Sequence, residues 1–211
     1  FIIYSIYKNM KQTILIFFSL FLLLSEVFSQ KVLRDSVYVK NEVYEVVYSE
    51  ILEQPKVLTY YSTNRPYNFN RTGMDFYLID GIHTSGALDY KTNIWDKGHL
   101  APAASFSDTK KNLLLTFSYL NCSLQHRDLN RTEWKMLEEQ ERKWDDSDTL
   151  KITIILEFNP RRVLKTDASV PSAFHKHIYW MHSNRKECYY FPNEKPLKIW
   201  SKFLNKNCKL L

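Results

Sequence analysis

The sequence predicts an α+β fold, and three observations carry the prediction. Leu129 to Trp144 is the clearest helix, because Trp134, Leu137 and Glu141 recur at helical spacing while charged residues fill the rest. Thr149 to Phe158 alternates apolar and polar residues and stops at Asn159-Pro160, which is the pattern of a central strand. Further strand candidates lie on both sides of that helix, an order that disfavours the regular strand–helix alternation of a parallel sheet.

The elements follow in chain order. Val37 to Tyr48 and Val57 to Tyr61 have the β-branched and aromatic content of strands, and Pro55 between them suits a connection. Residues 62–95 mix Asn, Thr, Gly and aromatics without a period and read as a long loop with short strands. Leu113 to Leu120 is a buried apolar run, either strand or helix. Ser172 to Trp180 is another strand, which places His175 and His177 on one face, as polar strand residues or as a metal pair. With 4 Gly in 211 residues, tight turns must rely on Asn, Asp and Pro.

Composition excludes several classes. The chain is 45% hydrophobic and 15% aromatic, enough for one sizeable core, and 4 Gly, 7 Pro and 3 Cys rule out collagen, low-complexity disorder and a disulfide-dense mini-protein. Only one long apolar run exists, Ile14 to Leu24, and it is too short to span a bilayer, which takes about 20 residues. Met10 and Lys11 precede the run and small residues follow it near Ser29. That order reads as a signal peptide over residues 1–29 with Met10 as the true start; a core helix or a membrane anchor is the other reading. The expectation is an exported protein, secreted or periplasmic, with a single domain over residues 30–211 and a core of about 38–205. No permanent membrane anchor is expected after cleavage.

Charge is uneven. The formal net charge is +6, and from residue 161 onward eleven Lys and Arg face three Asp and Glu. A basic end on a near-neutral body suits a polyanionic partner. The recurrence of Lys195, Lys198, Lys202, Lys206 and Lys209 at helical spacing also fits one solvated helix face. Of the three cysteines, Cys188 and Cys208 could bridge, which would leave Cys122 as a free thiol.

The chemistry concentrates in one ordered set. Asp96-Lys97-Gly98-His99-Leu100-Ala101-Pro102 is followed by Asn121-Cys122-Ser123-Leu124-Gln125, and then by Asn130-Arg131-Thr132-Glu133-Trp134 and Leu137-Glu138. This set resembles the DNA/RNA non-specific endonucleases of the ββα-metal class, whose signature is D-R-G-H-x-A-P, then N-x-x-x-Q, then N-x-x-x-W-x-x-L-E. The resemblance extends upstream to Tyr44–Ser49 and the Gln54-Pro55-Lys56 turn, and downstream to Val170–Phe174 and Tyr190–Asn193. It implies a mainly antiparallel central sheet flanked by helices, with a metal-site helix after the Asp96–His99 strand or loop.

The resemblance also implies roles. His99 would be the general base, and Asn130 the direct ligand of a divalent ion, Mg2+ by preference with Mn2+ or another as substitutes. Glu138 would hold that ion's water shell, Asn121 would orient groups near the site, and Lys97, Arg71 and Arg131 would contact substrate phosphate. Arg65 competes with Arg71 for its role. Asp96, Gly98, Gln125 and Trp134 would be structural; Asp96 would hold the loop or the His99 ring.

The residue chemistry agrees. An imidazole of ordinary pKa near 6.5 is largely neutral at working pH, and an amide oxygen is a hard neutral ligand. Asn130 and Glu138 are eight residues apart, about 12 Å along a straight helix, so a water-mediated role for Glu138 is the physical expectation. Asn130 with Glu133 also reads as a helix N-cap and capping box, a role that competes with ligation.

Two departures stand out. Lys97 replaces the family arginine and loses its planar two-pronged grip on phosphate, and Leu124 replaces the proline before the glutamine. The expected activity is hydrolysis of DNA and RNA phosphodiesters with little sequence specificity; the alternative is a weakened or inactive nucleic-acid binding protein of the same fold. Asn70, Asn121 and Asn130 each begin an N-x-S/T sequon, and a glycan on Asn130 would block the site, which favours a bacterial host.

Overall fold

A computed structural model describes residues 32–205. The apolar run at 14–24 and the expected cleavage position near Ser29 lie outside the described residues, as does Cys208. From Arg34 onward the described residues form one compact unit.

A six-stranded sheet runs in the order β1-β2-β3-β6-β9-β10, and every neighbouring pair is antiparallel. Its strands are β1 (Val37–Lys40), β2 (Tyr44–Ser49), β3 (Gln54–Ser62), β6 (Leu150–Glu157), β9 (Ala173–Trp180) and β10 (Lys186–Pro192), while β7 (Arg162–Val163) and β8 (Ser169–Val170) form a short ribbon of their own. The expected 37–48 strand is thus a hairpin. Asn41 Oδ1 accepts from the Val43 and Tyr44 amides and closes its turn. Pro55 is not a connection: it lies inside β3, opposite Tyr48 where the register shifts, a place that tolerates a residue without an N–H.

Alternation along β3, β6 and β9 buries Leu58, Tyr60, Ile152, Ile154, Phe174 and Ile178 on one face. Leu129, Trp134 and Leu137 from the helical segment join the same core. A fully buried charged residue shares that face. Lys176 is fully buried and meets Glu141, also fully buried, at 2.6 Å, while its ammonium lies 4.3 Å from the centre of the Trp134 ring. Tyr60 donates its hydroxyl to the other Glu141 oxygen at 2.8 Å.

The remaining chemistry sits on a separate hairpin, β4 (Trp95–His99) and β5 (Cys122–His126), which leads directly into helix. Two buried polar side chains tie this hairpin to the large sheet. Gln54 Oε1 accepts from Ser123 Oγ and the Leu124 amide. Asn193 accepts from the His126 amide and donates to the carbonyls of Leu124 and Pro171. Between β4 and β5 lies α1 (Lys110–Leu115), so the apolar run at 113–120 is partly helical, with a 3-10 turn at Tyr119–Asn121.

The main helix starts earlier than its pattern suggested. α2 (Arg127–Leu129) is capped by His126, whose Nδ1 accepts from the Asp128 amide. A π-helical turn follows at Asn130–Trp134, and then α3 (Lys135–Trp144). Asn130 is therefore not the N-cap; its backbone is already helical, and its side chain is released from capping. The basic C-terminal stretch gives only a 3-10 turn, Trp200–Phe203, among the described residues. Cys188 is disulfide-bonded and Cys122 is a free buried thiol.

Candidate active site

One cavity of about 490 Å³ gathers His99 and Lys97 from β4, Asn130 and Arg131 from the π turn, Lys135, Glu138 and Arg142 from α3, and Arg71 from the long loop. Arg71 and Arg142, 71 residues apart, both line it, and the hairpin brings His99 to the helix because the two are consecutive. Their common anchor is Asp96. Its Oδ2 accepts from Asn130 Nδ2 at 3.0 Å, and its two oxygens take both prongs of Arg131 at 2.7 Å. Burial works against the charge of this carboxylate, but the bonds from Arg131 and Asn130 outweigh it and hold the pKa below the ordinary value. Asp96 therefore holds Asn130 and Arg131 rather than the His99 ring. With its nitrogen committed, the Asn130 amide keeps Oδ1 as its free acceptor in the cavity wall.

His99 closes β4 and packs between Phe76, with ring centres 4.6 Å apart, and the edge of Phe117 at 4.9 Å. Burial, assisted by the nearby Arg71 charge, pulls its pKa down to about 3. The ring is neutral at working pH, and its Nε2 has no hydrogen-bond partner among the described residues. Asn121 does not reach the cavity. Its Oδ1 accepts from the Ala101 amide at 2.7 Å, and its Nδ2 donates to the carbonyls of Ala101 and Thr116. It fixes the backbone just after His99, so its part is positional. Its buried, doubly bonded Nδ2 also leaves no room for a glycan in the folded chain.

Gly98 is required by space rather than by backbone conformation. A Cβ there would stand 2.4 Å from Gln125 Oε1 and 2.7 Å from Gln125 Cβ. Lys97 lines the cavity but is tied to Asp75 at 2.6 Å, over the rings of Phe76 and Tyr119. Burial lowers its pKa, yet the bonds to Asp75 and Tyr119 prevail and raise it, so it stays a cation. Arg65 is spent on Asp108 and the Phe106 ring, which leaves Arg71 as the arginine of this loop that faces the cavity. Trp134 is core, packed on Phe174 and Phe191.

Burial pushes the Glu138 carboxyl up to about 7; Lys176 opposes that shift and Glu141 adds to it. A half-buried acid and an amide oxygen lining one cavity are donors that suit a hard divalent cation. Among the described residues no three His, Cys, Asp or Glu side chains cluster as a cage, so an ion here would keep most of its ligands as water and substrate oxygen. His175 bonds Glu157 at 3.0 Å on the open face of the sheet, away from this cavity.

Sequence reasoning missed Lys135 and Arg142. The signal was present, since Arg131, Lys135, Glu138 and Arg142 follow helical spacing. Phe76 and Phe117 were also missed, because nothing local marks a loop aromatic as the wall of a histidine.

Residues 26–207 match the family described as DNA/RNA non-specific endonuclease, and the chain belongs to that family. Mitochondrial endonuclease G of Bos taurus is 34% identical over 76 residues, which is 35% of this chain and 25% of that protein. The chain thus matches about a quarter of that relative's length. A chain in the crystal structure of an EndoG/EndoGI complex, described as showing the mechanism of EndoG inhibition, superposes with a TM-score of 0.69 at 20% identity. The superposition covers 80% of this chain and 79% of that one, and it shows that the two share a fold, α+β with a mainly antiparallel sheet.

Proposed function

We propose that the chain is an exported, divalent-metal-dependent endonuclease that hydrolyses phosphodiester bonds of DNA and RNA with little sequence specificity. The observation that carries this reading is the convergence of His99, Asn130, Glu138, Arg71 and Lys97 on one cavity. His99 accepts a proton from water as the water oxygen bonds to phosphorus, and the bond to the departing sugar oxygen breaks on the opposite side. A neutral imidazole is the right form for that task, and the negative charge of a bound phosphate raises its low basicity. Arg71 would contact the phosphate oxygens, Lys97 would do so on leaving Asp75, and Asp96 fixes Asn130 by its nitrogen. A divalent cation, Mg2+ by preference, held by Asn130 and through water by Glu138, would neutralise charge on the phosphate and the leaving oxygen.

Cations along the cavity contact backbone phosphate, which supports salt-sensitive binding with weak sequence preference. The exported location rests on the basic start, the short apolar run and the small residues of positions 10–29.

The test is plasmid relaxation in Mg2+ and in chelator, with wild type and His99→Ala. Cutting should require the ion and fall by roughly 10²–10⁴-fold in the variant. Binding without cutting in any divalent ion would replace this reading with that of an inactive nucleic-acid binder. The Lys97–Asp75 pair is the feature that favours such weakening, since it diverts the cation from phosphate.

A further inference from the structure

The cavity has a wall that the hydrolytic step does not use. Tyr67 is 65% exposed and Phe69 40% exposed; both line the cavity, and neither belongs to an apolar cluster of the described residues. Large aromatics left facing solvent inside a polar cleft have no packing reason to be there. Their backbone is fixed. The Asn68 and Phe69 amides both donate to the Ser107 carbonyl at 3.0 Å, and Asn68 Nδ2 donates to the Asp108 carbonyl at 3.1 Å. The Asn68 side chain is thus spent on Asp108, while its two aromatic neighbours stand in the cavity wall. The helical side of the same cavity carries Arg131, Lys135 and Arg142.

Aromatic rings and cations lining one cleft are the combination that binds a single strand: the backbone follows the cations and unstacked bases lie on the rings. Bases in a duplex are already stacked on each other, and their faces are closed to Tyr67 and Phe69. We infer that Tyr67 and Phe69 form a base-stacking shelf beside the cleavage site, and that single-stranded nucleic acid is the favoured substrate. The inference rests on the nuclease reading and specifies the substrate class of that same site.

The test is equilibrium binding, by fluorescence anisotropy, of the full chain in chelator. The probes are a labelled 12-nucleotide single strand, the same sequence as a duplex, and an abasic single strand of the same length. Wild type should bind the single strand more tightly than the duplex. Tyr67→Ala with Phe69→Ala should lose roughly ten- to hundredfold on the single strand, less than threefold on the duplex, and nothing on the abasic strand. Tyr67→Phe with Phe69→Tyr should restore the single-strand affinity, which a merely unfolded alanine variant would not explain.

Unchanged single-strand binding by the alanine pair would overturn the inference. So would an equal loss on strand and duplex, which would make the duplex the occupant. Because the readout needs no cleavage, an absence of cutting in Mg2+ sinks the nuclease reading separately.

Discussion

Replacing Asp96 separates a residue that positions the site from one that merely braces the fold. Asp96→Ala removes three hydrogen bonds, two from Arg131 at 2.7 Å and one from Asn130 at 3.0 Å. The Arg131 side chain is 65% exposed, so water screens its ion pair and the pair adds little stability. The Asn130 bond is partly buried and charge-assisted, worth roughly 1.5 kcal/mol before water replaces part of it. The stability loss should therefore be about 1–2 kcal/mol by urea unfolding. The functional loss should be larger in kind. With Asn130 free to rotate, its amide oxygen is no longer fixed in the cavity wall, and loss of such an outer partner lowers metal affinity by roughly 10–100-fold. The assay is cleavage rate against Mg2+ concentration. The half-saturating concentration should rise in Asp96→Ala and recover part of the way in Asp96→Asn, which keeps an acceptor. A stability loss of that size with an unaltered Mg2+ requirement would refute the reasoning and leave Asp96 a structural brace.

Four further outcomes are expected. Because burial lowers the His99 pKa to about 3, the neutral base persists as pH falls, so an acid limb of kcat/KM near 7 belongs to Glu138 and should disappear in Glu138→Gln; a limb that persists near 6.5 in that variant would contradict the burial of His99. The same shift means that below pH 6.5 the unfolded chain takes up a proton that the folded chain refuses, so stability should fall from 6.5 towards 3, and less steeply in His99→Gln. Gly98→Ala forces a methyl into the buried Gln125 side chain and should cost about 1–3 kcal/mol by urea titration; an unshifted midpoint would show that the hairpin yields. Lys176→Met leaves Glu141 buried beside Tyr60 without its cation and should cost about 3–5 kcal/mol, whereas adding Glu141→Leu should recover much of it; equal losses in both variants would assign the effect to packing alone.

The legible part of the molecule was the part with local periodicity or a motif. Alternation marked β6 and β9, and helical spacing marked the segment around Trp134. The π turn was not legible, because nothing in Asn130–Trp134 distinguishes it from an α-helical turn, and Asn130 there looks like a cap. Pro55 misled for a similar reason: a proline usually ends a strand, and only the bulge opposite Tyr48 lets it stay. In the site, His99, Asn130 and Asp96 were named by the motif, but the pairing of Asp96 with Asn130 was not. Asp96 and Asn130 are 34 residues apart, and such a pairing is written in the fold of the hairpin onto the helix. Asn121 was read as orienting groups near the site, and the motif did not reveal which: its amide holds the backbone that follows His99.

The most direct test is a crystal of His99→Ala soaked with Mn2+ and an oligonucleotide, with the ion located by its anomalous signal. The account predicts one peak within coordination distance of Asn130 Oδ1, with a phosphate between that ion and the space the imidazole vacated. A peak elsewhere on the chain, or a phosphate bound with no ion beside Asn130, would contradict it.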